Sequence, residues 1–573
     1  MRKRWRFVSL GLSLFASCGP GTTPPKNDSV LRVAIHAEPQ TWNQLLILER
    51  TTHAVTDQLH DPLLRLNPVT QEVEPALAES WEFAENGRRL VFHLRKGVRF
   101  SDGQPLRAED VAFTFRALYD PGVASPLLET AQIDGQNFEI EVLDETTVAF
   151  TLPRRTAAVE RVFDSIPILP AHLLEESLAR GSLPADTGLG APASKIVGLG
   201  PFTLREYVPG ERVVLERNPH YWRRDPEGSP LPRLARLVFD IVPDENARLL
   251  RFRSGQVDIV ELLTPDAFDS LLRENEGELE LRDLGPGLLS ERLWFNLNPD
   301  AAIDERKKRW FQDVRFRRAV AATIDRRAMA RVVFSGRATP ASGPVSVANF
   351  IWRDESLSEI EHDPEAARSL LTEAGFRWDG EGSLLDEQGQ AVSFTILTNS
   401  ESAHRTRMGA FLQEDLAKLG IEAQTAPVQG ASLMGRVTGS FDYDAGLLGI
   451  SQTDPDPSAE MALWLSRGPF HFWHPRQKTP ATPWEERIDA LMEEQLGELE
   501  LSERRNLYFE VQRIVTEWRP VIDLVVPHAL LGAQRRVLHL RPTSLAHVLW
   551  NSEEIDIGDP EARSTLAICD ARH

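Results

Sequence analysis

Read for apolar and polar spacing, the chain alternates two patterns from about residue 30 to about residue 555. The first is short and β-like. Val30 to Ile35 is a compact apolar run of the kind that forms a buried strand, and Leu90 to Arg95 alternates polar and apolar residues. Phe138 to Leu143 and Thr147 to Leu152 flank an Asp144-Glu145 turn. Phe202 to Tyr207 and Arg212 to Arg217 flank Val208-Pro209-Gly210-Glu211, which predicts a hairpin. Leu237 to Val242, Leu293 to Asn296, Val392 to Leu397 and Tyr443 to Ile450 complete the strand candidates.

The second pattern has helical spacing. Asp363 is placed to cap a helix with Pro364 in its first turn, Ala367, Leu370, Leu371 and Ala374 as its stripe, and Gly375 as its stop. Met408, Phe411, Leu412, Leu416 and Leu419 form another stripe, ended by Gly420. Val314 to Val333 and Arg504 to Trp518 read as longer helices. Mixed strands and helices without an internal repeat predict an α/β architecture. At 573 residues the chain exceeds what one core supports, so more than one lobe is expected.

The first residues follow neither pattern. Arg2, Lys3, Arg4 and Arg6 precede an apolar stretch from Phe7 to Ala16, too short to span a bilayer and arranged as a signal peptide. Ala16 and Ser17 precede Cys18, which resembles the lipobox of bacterial lipoproteins, whose cysteine is acylated. Residues 1–17 are therefore expected to be removed, Cys18 to carry lipid, and the Gly-, Pro- and Thr-rich stretch 18–29 to be a tether. No later stretch offers 18 consecutive apolar residues, so the body is expected to be soluble.

The formal net charge is −21, which argues against nucleic acid as a partner. Two cysteines, Cys18 and Cys569, supply neither a disulfide framework nor a cysteine-based zinc site. The sequence has no G-x-S-x-G elbow, H-E-x-x-H helix, phosphate-binding G-x-x-x-x-G-K loop or C-x-x-C pair. Asp379-Gly380-Glu381-Gly382 reads as a hairpin turn, since the spacing of a calcium loop is missing. His471 and His474 are bracketed by Pro469 and Pro475, which disfavours the helix a paired-histidine metal site would need. No catalysis, cofactor or metal is expected.

Six blocks in order carry a resemblance. Leu77-Ala78-Glu79-Ser80-Trp81-Glu82 leads to Leu90–Phe100, Ser101-Asp102-Gly103 and Ala108-Glu109-Asp110-Val111. Gly200-Pro201-Phe202 runs on to Arg217-Asn218-Pro219-His220-Tyr221-Trp222. Then come Ser254 to Ile259, Phe295-Asn296 with Asp313-Val314-Arg315 and Ala322 to Asp325, Asp363 to Ala367, and Leu419-Gly420-Ile421. Over about 30–555 the chain resembles the extracytoplasmic solute-binding proteins of peptide/nickel ABC transporters, of the oligopeptide- and dipeptide-binding type.

The resemblance implies a two-lobed periplasmic binding protein fold with hinge crossovers and an inserted subdomain. Lobe I would span 30–290, with the insert at about 60–190, and the chain would return to it over 520–573. Lobe II would span 291–519. Crossovers would lie near Leu293–Asn296 and Pro520–Leu524. The implied function is capture of a peptide or other small solute between the lobes and its delivery to permease subunits, by a monomer held at the periplasmic or cell surface through lipidated Cys18. A sensor or adaptor lipoprotein would need the same cleft; an enzyme on the same fold is the remaining alternative.

Family cleft contacts fall, in this chain, on Glu38, Asn43, Asn296, Asn298, Trp352, Ser451, Thr453 and Asp454. One departure bears on the substrate. Peptide-binding members carry an acidic residue just before the aspartate-proline turn that pairs with the peptide ammonium. Here the stretch is Gly446-Leu447-Leu448-Gly449-Ile450-Ser451-Gln452-Thr453-Asp454-Pro455, and the position of the acid falls on Ser451 or Thr453, with Asp454 able to substitute if the loop shifts. Burying an ammonium without a carboxylate costs several kcal/mol, so a neutral or differently charged solute becomes an expectation. Arg107, where the family usually places a capping threonine, is expected to cost about 1 kcal/mol of stability only.

Overall fold

The computed structural model describes residues 29–559 apart from Leu48 and Thr453; the expected leader, Cys18, the expected tether up to Asp28 and Cys569 lie outside the described residues. Ser29, expected at the tether's end, is buried and accepts from the Ala235 and Arg236 amides. Twelve strands form one large sheet. Its main path runs 202–208, 212–217, 236–241, 30–35, 259–260, 521–534, 289–295, 445–451, 393–399 and 422–428.

The expected strand Val30–Ile35 lies parallel to Arg236–Ile241. Its side chains alternate between two cores. Leu31, Val33 and Ile35 enter one apolar cluster and Ala34 another on the opposite face. The same happens at Leu289–Phe295, where Leu293 and Phe295 face one cluster and Trp294 the other. Strands buried on both faces need apolar residues at consecutive positions, as at Val33-Ala34-Ile35 and Leu293-Trp294-Phe295.

The strand Val521–Gln534 joins the two halves of the sheet. Its first part pairs with Leu289–Phe295 and Ala338–Pro340, and its last part with Ile259–Val260 and Leu279–Pro286. The chain changes halves at Gly287-Leu288, between the strands Leu279–Pro286 and Leu289–Phe295, and again within this long strand near Val526–His528. Near the start of this strand, Arg292 and Asp523 face each other across neighbouring strands, with Arg292 Nε donating to Asp523 Oδ1 at 2.8 Å. Both side chains are almost wholly buried. Arg326 Nε donates to the Asp523 carbonyl at 2.8 Å, so one position ties a strand and a helix together.

A second, four-stranded antiparallel sheet (78–84, 89–94, 147–151, 139–144) packs with helix Ala108–Tyr119 on its own apolar cluster between Leu45 and Leu199. Arg107 makes no side-chain cap for that helix. Asp110 Oδ2 still accepts from the Arg107 amide at 2.9 Å, so half of the reciprocal cap remains.

The expected helix at 314–333 is two helices, Val314–Thr323 and Arg326–Val333. Asp325 breaks it by accepting from the Ala328 amide at 2.8 Å, a capping geometry a mid-helix residue does not adopt. Pro364–Glu373 and Ala403–Ala417 follow their predicted stripes, with Asp363 accepting from the Ala366 amide. Gly420 follows the second of these with φ +76°, and a Cβ there would stand 2.1 Å from the Gly382 carbonyl, which leaves room for glycine alone. No helix of the described residues is long and apolar enough to cross a membrane.

Candidate functional site

The two halves touch directly beside the inserted sheet. Ala157 N donates to the Leu496 carbonyl at 2.7 Å, Gln71 Nε2 to the Ala348 carbonyl at 3.1 Å, and Arg161 Nη1 to Asp454 Oδ1 at 2.5 Å. Behind these contacts lies a cavity of about 1130 Å³. Its wall comes from four distant stretches: 44–68, 127–167, 454–467 with 493–496, and 545–553, with Pro201 and Tyr221 added.

One end of the wall is a charged knot. Glu553 accepts from Arg65 at 2.8 Å and Arg223 at 2.5 Å, and Arg65 stands 5.5 Å above the Trp550 ring. Burial pushes the Glu553 carboxyl up, but the two arginines outweigh it and hold it below the usual carboxylate range. Elsewhere on the wall, the Asp454-Pro455-Asp456-Pro457 turn is locked by its own carboxylates. Asp454 Oδ1 accepts from the Asp456 amide at 2.7 Å, and Asp456 Oδ1 from the Ser458 amide at 2.9 Å. Arg504 clamps Asp456 with two bonds of 2.9 Å, both groups buried. Burial works against the Asp456 charge, yet Arg504 keeps its carboxyl below the usual range. For Asp454 burial prevails over Arg161 and the carboxyl is raised.

The sequence-derived residues are distributed as follows. Asp454 lines the cavity. Ser451 is exposed at a strand end, its Oγ donating to the Gln452 carbonyl, while the Gln452 amide donates to the Leu288 carbonyl at the crossing between halves. Thr453 lies outside the described residues. Asn296 Nδ2 donates to the carbonyls of Phe441 and Tyr443 at 2.9 Å each, and its Oδ1 accepts from the Asn298 amide; Asn298 in turn accepts from the Asp300 amide. Asn43 caps a short helix through the Leu45 amide and donates to Thr187 Oγ1 at 3.1 Å. Trp352 is 1% exposed and packs beside Tyr508, with the Arg504 guanidinium 4.8 Å from its ring. Glu38 is exposed and accepts from Tyr207 Oη at 2.9 Å and from the Gly210 amide.

Sequence reasoning missed Asp61, Arg65, Arg161, Asp164 and Glu553, all on the cavity wall. Tyr221 stood within the Asn218–Trp222 block and was legible only as part of the resemblance. Asp61 and Glu553 sit in irregular segments, and Arg65, Arg161 and Asp164 in elements of three or four residues, too short for a periodicity to mark them.

Of the two histidines at 471 and 474, the first serves the fold. His471 is fully buried, with Nδ1 3.0 Å from the Leu463 carbonyl and Nε2 3.1 Å from Glu485 Oε1. Glu485 also accepts from Gln477 and Thr482. Burial pushes its carboxyl up, but His471 and the neutral donors outweigh that and bring it to about 2. Depressed from its ordinary 4.5, it stabilises the fold above about pH 4.5, and that contribution is lost as pH falls toward about 2. Glu485→Gln is therefore expected to be less stable than wild type at pH 7, with the gap in melting temperature closing below about pH 4. An equal gap at pH 7 and pH 3 would contradict this.

The family is visible in direct comparison. The model for bacterial extracellular solute-binding proteins, family 5 (middle region), matches residues 72–472. A probable ABC transporter-binding protein of Deinococcus radiodurans is 28% identical over 488 residues, covering 81% of each chain. Di/tripeptide-binding protein 2 of Pseudomonas aeruginosa is 27% identical over 545 residues, covering 92% of this chain and 94% of its own. In fold, the crystal structure of the ABC transporter substrate-binding protein CtaP from Listeria monocytogenes superposes with a TM-score of 0.77 at 21% identity, covering 93% of this chain and all of the other. With its two-part mixed sheet and the model match over more than half its length, the chain belongs to family 5 of the bacterial extracellular solute-binding proteins, the peptide/nickel type of ABC transporters.

Proposed function

We propose that this chain captures a small solute between its halves and delivers it to the permease of an ABC importer, held at the membrane by acylated Cys18. The observation that carries the reading is the cavity of about 1130 Å³, walled by both halves and the inserted sheet. That is the upper end of small-molecule sites, enough for a peptide or a solute of similar size. In this reading lobe I spans about 30–290 with the return after 520, and lobe II spans 291–519. Closure swings them about Gly287-Leu288 and the middle of Val521–Gln534. A ligand stabilises the closed form because only there does it touch both walls.

The test is mass spectrometry of solute released from purified, denatured protein, followed by re-addition to the emptied chain. The solute should compact the protein in X-ray scattering. At a hundredfold excess over Kd it should stabilise the fold by about 2.7 kcal/mol, read as a higher melting temperature. A released solute that changed neither compactness nor melting temperature would sink the capture model.

A further inference from the structure

The cavity wall is electrically unbalanced. Eight aspartates and glutamates line it, against four arginines. All four arginines are already engaged: Arg65 with Glu553 at 2.8 Å, Arg154 with Asp134 at 2.8 Å, Arg161 with Asp454 at 2.5 Å, and Arg467 with Glu493. Two of the remaining acids are left with neutral partners. Asp61 Oδ2 accepts from Trp222 Nε1 at 2.8 Å, and Asp164 Oδ1 accepts from the Leu66 amide at 2.7 Å. Among the described residues no basic side chain comes within 4.0 Å of either carboxylate. Both are partly buried and stand on adjacent segments joined by the Pro62–Pro167 bridge. A desolvated carboxylate with one neutral donor is held at a cost that an ion-paired cation would relieve.

We propose that the cavity takes an organic cation, carrying amine or guanidinium groups, that pairs with Asp61 and Asp164. This rests on the reading of the cavity as the solute site. It also reconciles the absence of an acid at Ser451 with a positively charged ligand, since the carboxylates come from the inserted subdomain instead. Asp454 does not compete for the cation, because Arg161 already neutralises it.

The proton balance follows. Burial pushes Asp61 up to about 7, against Trp222, Arg223 and Arg65 and with Glu553 and Tyr221 close by. Burial likewise pushes Asp164 up to about 6, against the Leu66 amide, Arg65 and Arg161 and with Asp454 adding to the rise. A bound cation displaces these protons, so its affinity tightens as pH rises through about 6 to 7.

The full chain, stripped of solute, is titrated calorimetrically with tri-lysine, spermidine, tri-alanine and tri-glutamate. Tri-lysine or spermidine should bind at least roughly a hundredfold more tightly than tri-glutamate, more tightly at pH 8 than at pH 5. Preference for tri-lysine marks a basic peptide as the source of the charge, and preference for spermidine a polyamine. Asp61→Asn and Asp164→Asn should each weaken the basic probe about tenfold or more and flatten its pH dependence. Their melting temperatures at pH 7 should equal or exceed that of wild type, since each removes a desolvated charge, and this separates lost binding from lost fold. Equal binding of tri-glutamate or tri-alanine, or a neutral or acidic solute released from the native protein, would overturn the proposal and leave solute capture standing. No released solute and no response to any probe would bring down the cavity reading itself.

Discussion

Asp523→Ala is expected to cost about 3–5 kcal/mol of stability, because it leaves Arg292 charged and enclosed without its carboxylate. The side chains of the pair are 1% and 2% exposed, so water cannot replace the lost partner. The position also matters for architecture. Asp523 lies in the strand that both halves share, and Arg292 in the neighbouring strand, directly after the chain has crossed between halves. Arg292 further donates to the Pro344 carbonyl and stands 5.6 Å from the Trp464 ring, so its charge has neighbours but, among the described residues, no second ion-paired carboxylate. Urea unfolding should show the midpoint falling. Replacing both partners with apolar residues, Arg292→Met with Asp523→Val, should recover part of the loss: Arg292 is no longer stranded, while the buried Arg326 and Arg519 still lose the attraction of the Asp523 carboxylate. A single variant within about 1 kcal/mol of wild type would show that the pair does not hold the junction.

Asp456→Ala should lose a comparable amount, about 3–5 kcal/mol, and solute affinity with it. Arg504 loses both bonds of its bidentate clamp and keeps the Trp352 ring and Gln495, the latter through its carbonyl at 3.1 Å and its Oε1 at 2.7 Å. The turn at 454–457 then loses the anchor that fixes the cavity wall from Asp454 to Leu465. Arg504→Ala strands the opposite charge, so it should be as damaging to stability. Because the Asp456 carboxyl is depressed in the fold, the pair stabilises above the ordinary aspartate range, near pH 4, and the contribution fades as pH falls below it. Unfolding midpoints at pH 7 and pH 3, together with calorimetric affinity for the released solute, would check all three statements. Unchanged affinity in a destabilised Asp456→Ala would separate the turn from the site.

Local patterns carried the elements. The Val30–Ile35 run, the hairpin around Gly210, the Asp363 cap with its following stripe and the Gly420 stop all act within one or two turns of chain, where spacing and capping chemistry decide the conformation. The ordered blocks from Leu77 to Ile421 placed the chain in its family, because such blocks mark turns and packing sites shared by the fold. The same level of reading merged two helices across Asp325, since an apolar stripe continues through a capping residue whose side-chain bond cannot be read from spacing.

The site belonged to the tertiary structure. Arg161 and Asp454 meet across 293 positions of sequence, and Arg65 and Glu553 across 488. Neither pair has a local signature, because an ion pair across a cleft depends on where two separately folded segments come to rest. The side chains of Asn296, Asn298 and Asn43, expected in the cleft from the family resemblance, are taken up by nearby backbone groups and by Thr187. Buried amides and carbonyls must find partners, and a nearby asparagine supplies them at low entropic cost. The amino-acid sequence by itself determined many of the regular elements and the family; only the packed chain decided where one helix breaks in two, which carboxylates face a common cavity and which are neutralised on its wall.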